Sequence, residues 1–172
     1  MLISIFCFGN PSRGDDAAGE HIHQWLGQII SNDSLTNKDI SIRLVVDFQL
    51  EPEHIFDLDG ADLGIFIDCH LATKEAFLWQ PVDVGQQLMI TSHSVTTESL
   101  LYLYGNTLNK APPPCYLLGI AGSQFGLGDP ISPTTKNNLD AAKEFLLEKL
   151  SSNHALQALV YDRLQAIRPA NV

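Results

Sequence analysis

Residues 2–19, LISIFCFGNPSRGDDAAG, decide how the rest of the chain is read. Leu2 to Phe8 is a continuous apolar run, the form a strand takes when both faces of its sheet are covered. Gly9, Asn10, Pro11 and Gly14 break it into a turn, and Asp15 and Asp16 stand side by side where the next element begins. From residue 15 to about residue 30, Ala18, Ile22, Trp25, Leu26, Ile29 and Ile30 recur at helical spacing. The stretch is therefore a strand, a turn and a helix, with two carboxylates at the turn.

The same alternation continues along the chain. A polar loop, 31–39, leads to a strand over 42–46 and a short helix over 51–58 with Pro52 in its first turn. A buried strand, DLGIFIDC, covers 62–69, and 77–82 reads as another; 87–91 is a short strand or a loop. Thr96 or Thr97 caps a helix reaching about Leu108. Three prolines then hold the chain extended before a strand over 115–121, and Ser132 with Pro133 opens a long helix to about Leu150. Residues 151–172 add an amphipathic stretch carrying Leu156, Leu159, Val160 and Leu164. No repeat or low-complexity tract interrupts the order. Strands alternating with helices predict a three-layer α/β/α sandwich around a mostly parallel sheet. Ligands of such sheets sit beyond the carboxyl ends of the strands.

The composition bounds the function. A chain of 172 residues fits one well-buried domain, and 45% apolar with 17% charged residues is ordinary for a globular protein. A net charge of −10 argues against a nucleic-acid partner, because binding to phosphates needs many Lys and Arg. No apolar run approaches the roughly 18 residues of a spanning helix, so no membrane is expected. The N-terminus lacks the basic start of a signal peptide, which makes a cytoplasmic location the expectation. Cys7, Cys69 and Cys115 are odd in number and lack a CxxC pair, as reduced, mostly buried thiols would be. Without heptads or a sustained apolar stripe, a monomer is expected.

The candidate site residues are Asp16, Asp68 and His93. Asp15 and Asp16 each have a plain structural reading, since carboxylates are favoured at a helix N-terminus by about 0.3–1 kcal/mol. Asp68 ends a strand that should be buried, where an unpartnered carboxylate is costly. His93, in TSHSVTT, reads by itself as a loop histidine. Together, two carboxylates and an imidazole beyond one sheet edge form an incomplete donor set for an ion such as zinc or nickel, with a position left for substrate. Competing chemistries lack parts: there is no GxSxG elbow, GxGxxG loop or P-loop lysine. Cys69 and His70 are neighbours in a strand, so their side chains point to opposite faces and cannot pair. His21 and His23 do not share a helix face.

These residues, in this order, resemble the [NiFe]-hydrogenase maturation proteases, which trim the C-terminus of the hydrogenase large subunit. FGNPSRGDDAAG resembles the family's N-terminal signature and FQLEPE, 48–53, the QLxPE element of one branch. FIDCH, 66–70, SHSVTTESLL, 92–101, and LLGIAGSQFGLGDPISP, 117–133, resemble its strand-end acid, histidine segment and glycine-rich loop. The resemblance implies a phosphorylase/hydrolase-like α/β/α sandwich, with a protease domain over 1–150 and 151–172 as a helical extension of it. It places the metal-contacting and catalytic roles on Asp16, Asp68 and His93, and leaves Asp15 as the other signature acid. Ala17 departs from the family pattern, where many members have glycine. The implied partner is a large-subunit precursor that presents nickel, so the metal comes with the substrate. Two other functions fit the same residues: a non-proteolytic, metal-sensing maturation factor, and a different metal-dependent hydrolase on this frame.

Overall fold

The computed structural model describes residues 1–35, 37–71, 74–87 and 95–167. Its strands are β1 (Leu2–Phe8), β2 (Ser41–Asp47), β3 (Leu63–Leu71), β4 (Phe77–Pro81) and β5 (Cys115–Gly122). Its helices are α1 (Ala18–Ser31), α2 (His54–Leu58), α3 (Thr97–Leu108), α4 (Pro133–Ser151) and α5 (Asn153–Ile167), with a 3-10 turn at Gly14–Ala17. The sheet order is β2-β1-β3-β5-β4; the first four of these run parallel and β4 runs antiparallel along β5. The expected three-layer, mostly parallel sandwich is the observed one.

The alternation within β1 builds two cores at once. Ile3, Ile5 and Cys7 point to one face, where Ala18, Ile22 and Leu26 of α1, Leu139, Ala142 and Leu146 of α4, and Leu156 of α5 close over them. Phe6 and Phe8 point to the other, against Ile55 and Leu58 of α2 and Leu100, Leu101 and Tyr104 of α3. Phe6 stacks on Phe66 of β3 with centroids 4.9 Å apart. A strand sandwiched this way has no polar face to show, which is why its sequence reads as a nearly continuous apolar run. Ser4, the one polar side chain inside it, is buried and donates to the Asp57 carbonyl at 2.7 Å.

Helix ends follow their capping residues. Thr96 accepts from Ser99 N–H at 3.2 Å to start α3, and Ser132 accepts from Thr135 N–H at 3.2 Å to start α4, with Pro133 in its first turn. β3 runs on to Leu71, paired with β5 through Gly122, so Asp68 lies within the strand rather than at its end as expected. Two helix starts also differ from expectation. α2 begins at His54 rather than residue 51, because Glu51 precedes Pro52 and the proline ring disfavours the helical conformation there. The helix expected from residue 15 opens as the 3-10 turn and becomes α-helical only at Ala18. Residues 88–91 of the short strand or loop expected at 87–91 lie outside the described residues, as does His93. Of the described cysteines, none is paired in a disulfide. No described helix is long and apolar enough to cross a membrane.

α5 is held by named contacts. Leu156 is fully buried, and Tyr116 of β5 donates its hydroxyl to the Leu159 carbonyl at 3.0 Å. Arg163, only 7% exposed, reaches the Val82 carbonyl at 2.7 Å and pairs with Asp83.

Candidate active site

The strand order reverses at β1: the chain passes from β1 to β2 on one side, then crosses to β3 on the other. Connections leaving β1 and β3 diverge there, and a crevice opens at their carboxyl ends. It holds a cavity of about 360 Å³. Phe8, Phe66 and Leu117 form its apolar floor; Gly9 and Asp16 lie along one side, Phe48, Gln49 and Leu50 along another, and Asp68, Val95, Thr96 and Thr97 complete the lining.

Each polar side chain arrives by a different local device. Gly9 turns the chain out of β1 with φ +135, and a Cβ built on it would fall inside the Asp16 carbonyl. Only glycine lets the 3-10 turn fold back so tightly over the strand end. Gly19 does the same one turn into the helix, where a Cβ would strike the Phe8 carbonyl. The turn thus lies flat on β1 and delivers Asp16 to the crevice. Asp16 accepts a hydrogen bond from Asn10 N–H at 3.2 Å.

Asp68 stands on β3, one position before Cys69, whose N–H it accepts at 2.7 Å. Its side chain keeps access to solvent along the cleft, yet the surrounding protein desolvates it enough to push it up to about 6. The Cys69 N–H works against that rise, and the Asp16 charge adds to it. Asp16 and Asp68 therefore share one cavity and repel one another across it. Cys69 and His70 are consecutive in β3, which sends their side chains to opposite faces of the sheet as expected.

The third predicted residue, His93, lies outside the described residues. Val95 and Thr96, two and three positions on, line the cavity, and Val95 N–H bonds to the Leu50 carbonyl at 3.3 Å. Among the described residues, no three His, Cys, Asp or Glu side chains are arranged to hold a metal ion. The described donor set is the Asp16 and Asp68 pair.

Asp15 behaves unlike its neighbour. It is 0% exposed and faces away from the cavity, toward the segment between β5 and α4. Its Oδ2 accepts from Ser123 N–H and Gln124 N–H, both at 2.9 Å, and from the Ser132 hydroxyl at 3.0 Å; its Oδ1 accepts from Ser132 N–H at 2.7 Å. Burial alone would raise this carboxyl, but the four hydrogen bonds pull it down to about 2. Asp15 does stand in the first turn, as the helix-terminus reading has it, and its side chain is taken by this staple to a distant segment. Sequence reasoning also passed over Gln49 as a cavity residue. The available signal was its place just past the carboxyl end of β2, the sheet edge where ligands are expected.

No protein-family model matches the sequence, and no curated protein sequence matches it. Solved structures do. The [NiFe] hydrogenase maturation protease HycI of Thermococcus kodakarensis superposes with a TM-score of 0.64 at 19% identity, over 88% of this chain and 93% of that one. The hydrogenase maturating endopeptidase HybD of E. coli gives 0.61 at 17% identity, over 87% and 92%. An uncharacterized protein of Wolinella succinogenes gives 0.55 at 13% identity, over 86% and 96%. The chain thus has the fold of the [NiFe] hydrogenase maturation proteases.

Proposed function

We propose that the protein is an endopeptidase that removes the C-terminal extension of a nickel-loaded [NiFe]-hydrogenase large-subunit precursor. The observation that carries this reading is the Asp16 and Asp68 pair on one cavity at the strand crossover of this fold. Two carboxylates facing a common space repel each other, and a divalent cation relieves the repulsion, so the empty precursor and the metal-loaded one present different energies to the site. Nickel held by the precursor is here part of the substrate. Asp16 and Asp68 are its supplementary ligands, together with His93, and metal loading becomes the condition for docking.

Hydrolysis then follows from the same groups. Water adds to the scissile carbonyl, which the metal polarises, and a carboxylate of the site takes the proton lost by the water. That proton leaves with the amine of the released extension. α3 begins on the cavity at Thr97, and the partial positive charge of its N-terminus favours the oxyanion formed in this step. The apolar floor of Phe8, Phe66 and Leu117 strengthens these electrostatic interactions by limiting water.

The enzyme works as a cytoplasmic monomer under this reading, with 1–150 as the protease domain and 151–172 as its helical extension. Leu156 and Arg163, which tie α5 to the rest, support the extension as part of the same domain.

The test is to incubate the purified protein with nickel-loaded and nickel-free precursor and weigh the products. Shortening of the loaded precursor alone is expected, and Asp16→Ala should slow it about a hundredfold or more while the circular dichroism stays native. Binding of loaded precursor without any shortening would establish a metal-sensing maturation factor in its place. Turnover of small esters or phosphates with an inert precursor would establish a different hydrolase.

A further inference from the structure

Asp15 and Asp16 are successive residues of one 3-10 turn, whose side chains diverge by about 120° around its axis. The direction of the second is therefore fixed by whatever fixes the rotation of the turn. Arg13, at the N-cap, makes no side-chain capping bond and donates instead from Nε to the Phe125 carbonyl, and among the described residues Asp16 accepts from Asn10 N–H at 3.2 Å. The side-chain anchor on this turn is Asp15, with four donors converging on a carboxylate that is 0% exposed.

All four donors come from the segment that joins β5 to α4, more than a hundred residues away in sequence. Backbone bonds take the same route: Gly14 N–H to the Asp129 carbonyl at 3.1 Å, Asp15 N–H to the Gln124 carbonyl at 2.8 Å, and Gly128 N–H to the Ser12 carbonyl at 2.7 Å. Ser132 is at once a donor to Asp15 and the N-cap of α4, so the turn is tied to the end of a 19-residue helix. The backbone bonds and the exposed Arg13 Nε bond to the Phe125 carbonyl at 3.3 Å hold the place of the turn along the loop; the carboxylate adds a fully buried side-chain tie that resists rotation of the turn about its axis.

We infer that Asp15 is a positioning residue: its buried carboxylate, held by Ser123, Gln124 and Ser132, sets the direction in which Asp16 enters the cleft. What Asp16 does there rests on the proposed function; the geometric dependence does not. An amide cannot replace the carboxylate, because it has one oxygen for four donors, and its NH₂ would face the Ser132 N–H or the Ser123 and Gln124 N–H pair.

Amide exchange, monitored residue by residue by NMR in the full chain, tests the dependence. In Asp15→Asn, the N–H groups of Ser123, Gln124 and Ser132 should exchange about tenfold faster or more. The decisive probe is Asn10 N–H, whose partner is Asp16: it should accelerate with them, while amides in β1 and α3 keep their protection. Ser132→Ala, which removes one of the four donors and leaves the carboxylate, should give the same pattern more weakly and serves if Asp15→Asn does not fold. Acceleration at 123, 124 and 132 with Asn10 unchanged would overturn the inference, and so would uniform acceleration across β1 and α3. A cleavage assay adds a second reading: kcat should fall in Asp15→Asn while precursor affinity is kept. If the wild-type protein cuts no precursor, the proposed function fails, and the exchange at Asn10 still decides this inference.

Discussion

The two sides of the β1–α1 turn carry the same functional group and treat it in opposite ways. On the closed side, Asp15 is shut off from solvent, meets four hydrogen-bond donors and is pulled down to about 2. On the open side, desolvation by the surrounding protein, helped by the charge of Asp16 and opposed by the Cys69 N–H, pushes Asp68 up to about 6. The more buried carboxylate is the more acidic. Desolvation raises both carboxyls; at Asp15 the four donors aimed at the ionised oxygens overturn that rise, and at Asp68 the Cys69 N–H does not. The closed side gains stability from its charge, and the open side gives stability up. Under the proposed function, the side that receives an incoming cation is the one where desolvation wins, and the turn beneath it is the one held by donors.

Gly9→Ala attacks the contrast with the largest effect. The added methyl would collide with the Asp16 carbonyl in a backbone held at φ +135, where an L side chain is already strained. Neither the strand end nor the turn can yield separately, since β1 is buried and Asp15 fixes the turn. We expect a loss of about 3 kcal/mol or more in urea unfolding. A loss under about 1 kcal/mol would mean that the turn is loosely held and that the closed side is less rigid than its hydrogen bonds imply.

Much of this arrangement is legible in the residues, and the parts that are not share a cause. β1 is readable because burial on both faces leaves apolar side chains at every position but Ser4, and α3 and α4 because Thr96, Ser132 and Pro133 are local signals with local consequences. The placement of Asp16 and Asp68 at one crevice comes from topology, since Asp16 follows the end of β1 and Asp68, one past the Ile67 that pairs with Cys7, lies on the neighbouring strand level with that end. The direction of β4 is not legible in its own residues, which alternate no differently from those of a parallel strand. The link over 72–76 is too short for a helical crossover, however, and this points to the antiparallel arrangement. Asp15 misleads for a similar reason. Its four donors lie at positions 123, 124 and 132, and adjacent acids at a helix start look alike until the distant segment is folded against one of them. His93, the third residue that the resemblance implies, lies outside the described residues.

Acid unfolding separates the two sides next. The folded value of Asp15, about 2, lies below its ordinary 3.8, so the unfolded chain takes up its proton first as the pH falls. Its contribution is complete above pH 4 and disappears between about pH 4 and pH 2, about 2 kcal/mol in all. Urea unfolding at a series of pH values should show this acid limb, and Asp15→Asn should flatten it while lowering stability at pH 7. An unchanged limb in that variant would assign the loss to other carboxylates and weaken the contrast.

The smallest effect has the opposite sign. Asp68 has its folded value raised to about 6, above the ordinary 3.8, so the folded chain holds this proton longer as the pH rises. Its favourable contribution is present below pH 4 and is lost as the pH climbs through 6; at pH 8 the ionised group is a net cost, paired with Asp16 across the cavity. Asp68→Asn should therefore raise the Tm at pH 8 and leave it unchanged or lower at pH 4. The rise should not exceed about 2 °C, because Asp68 keeps solvent access and water screens the repulsion. Under the proposed function the same variant also removes a carboxylate that acts in precursor cleavage, so stability and activity should move in opposite directions. A variant less stable at pH 8 would show that Asp68 is held by the fold as firmly as Asp15, and the division of the turn into a structural side and a working side would no longer stand.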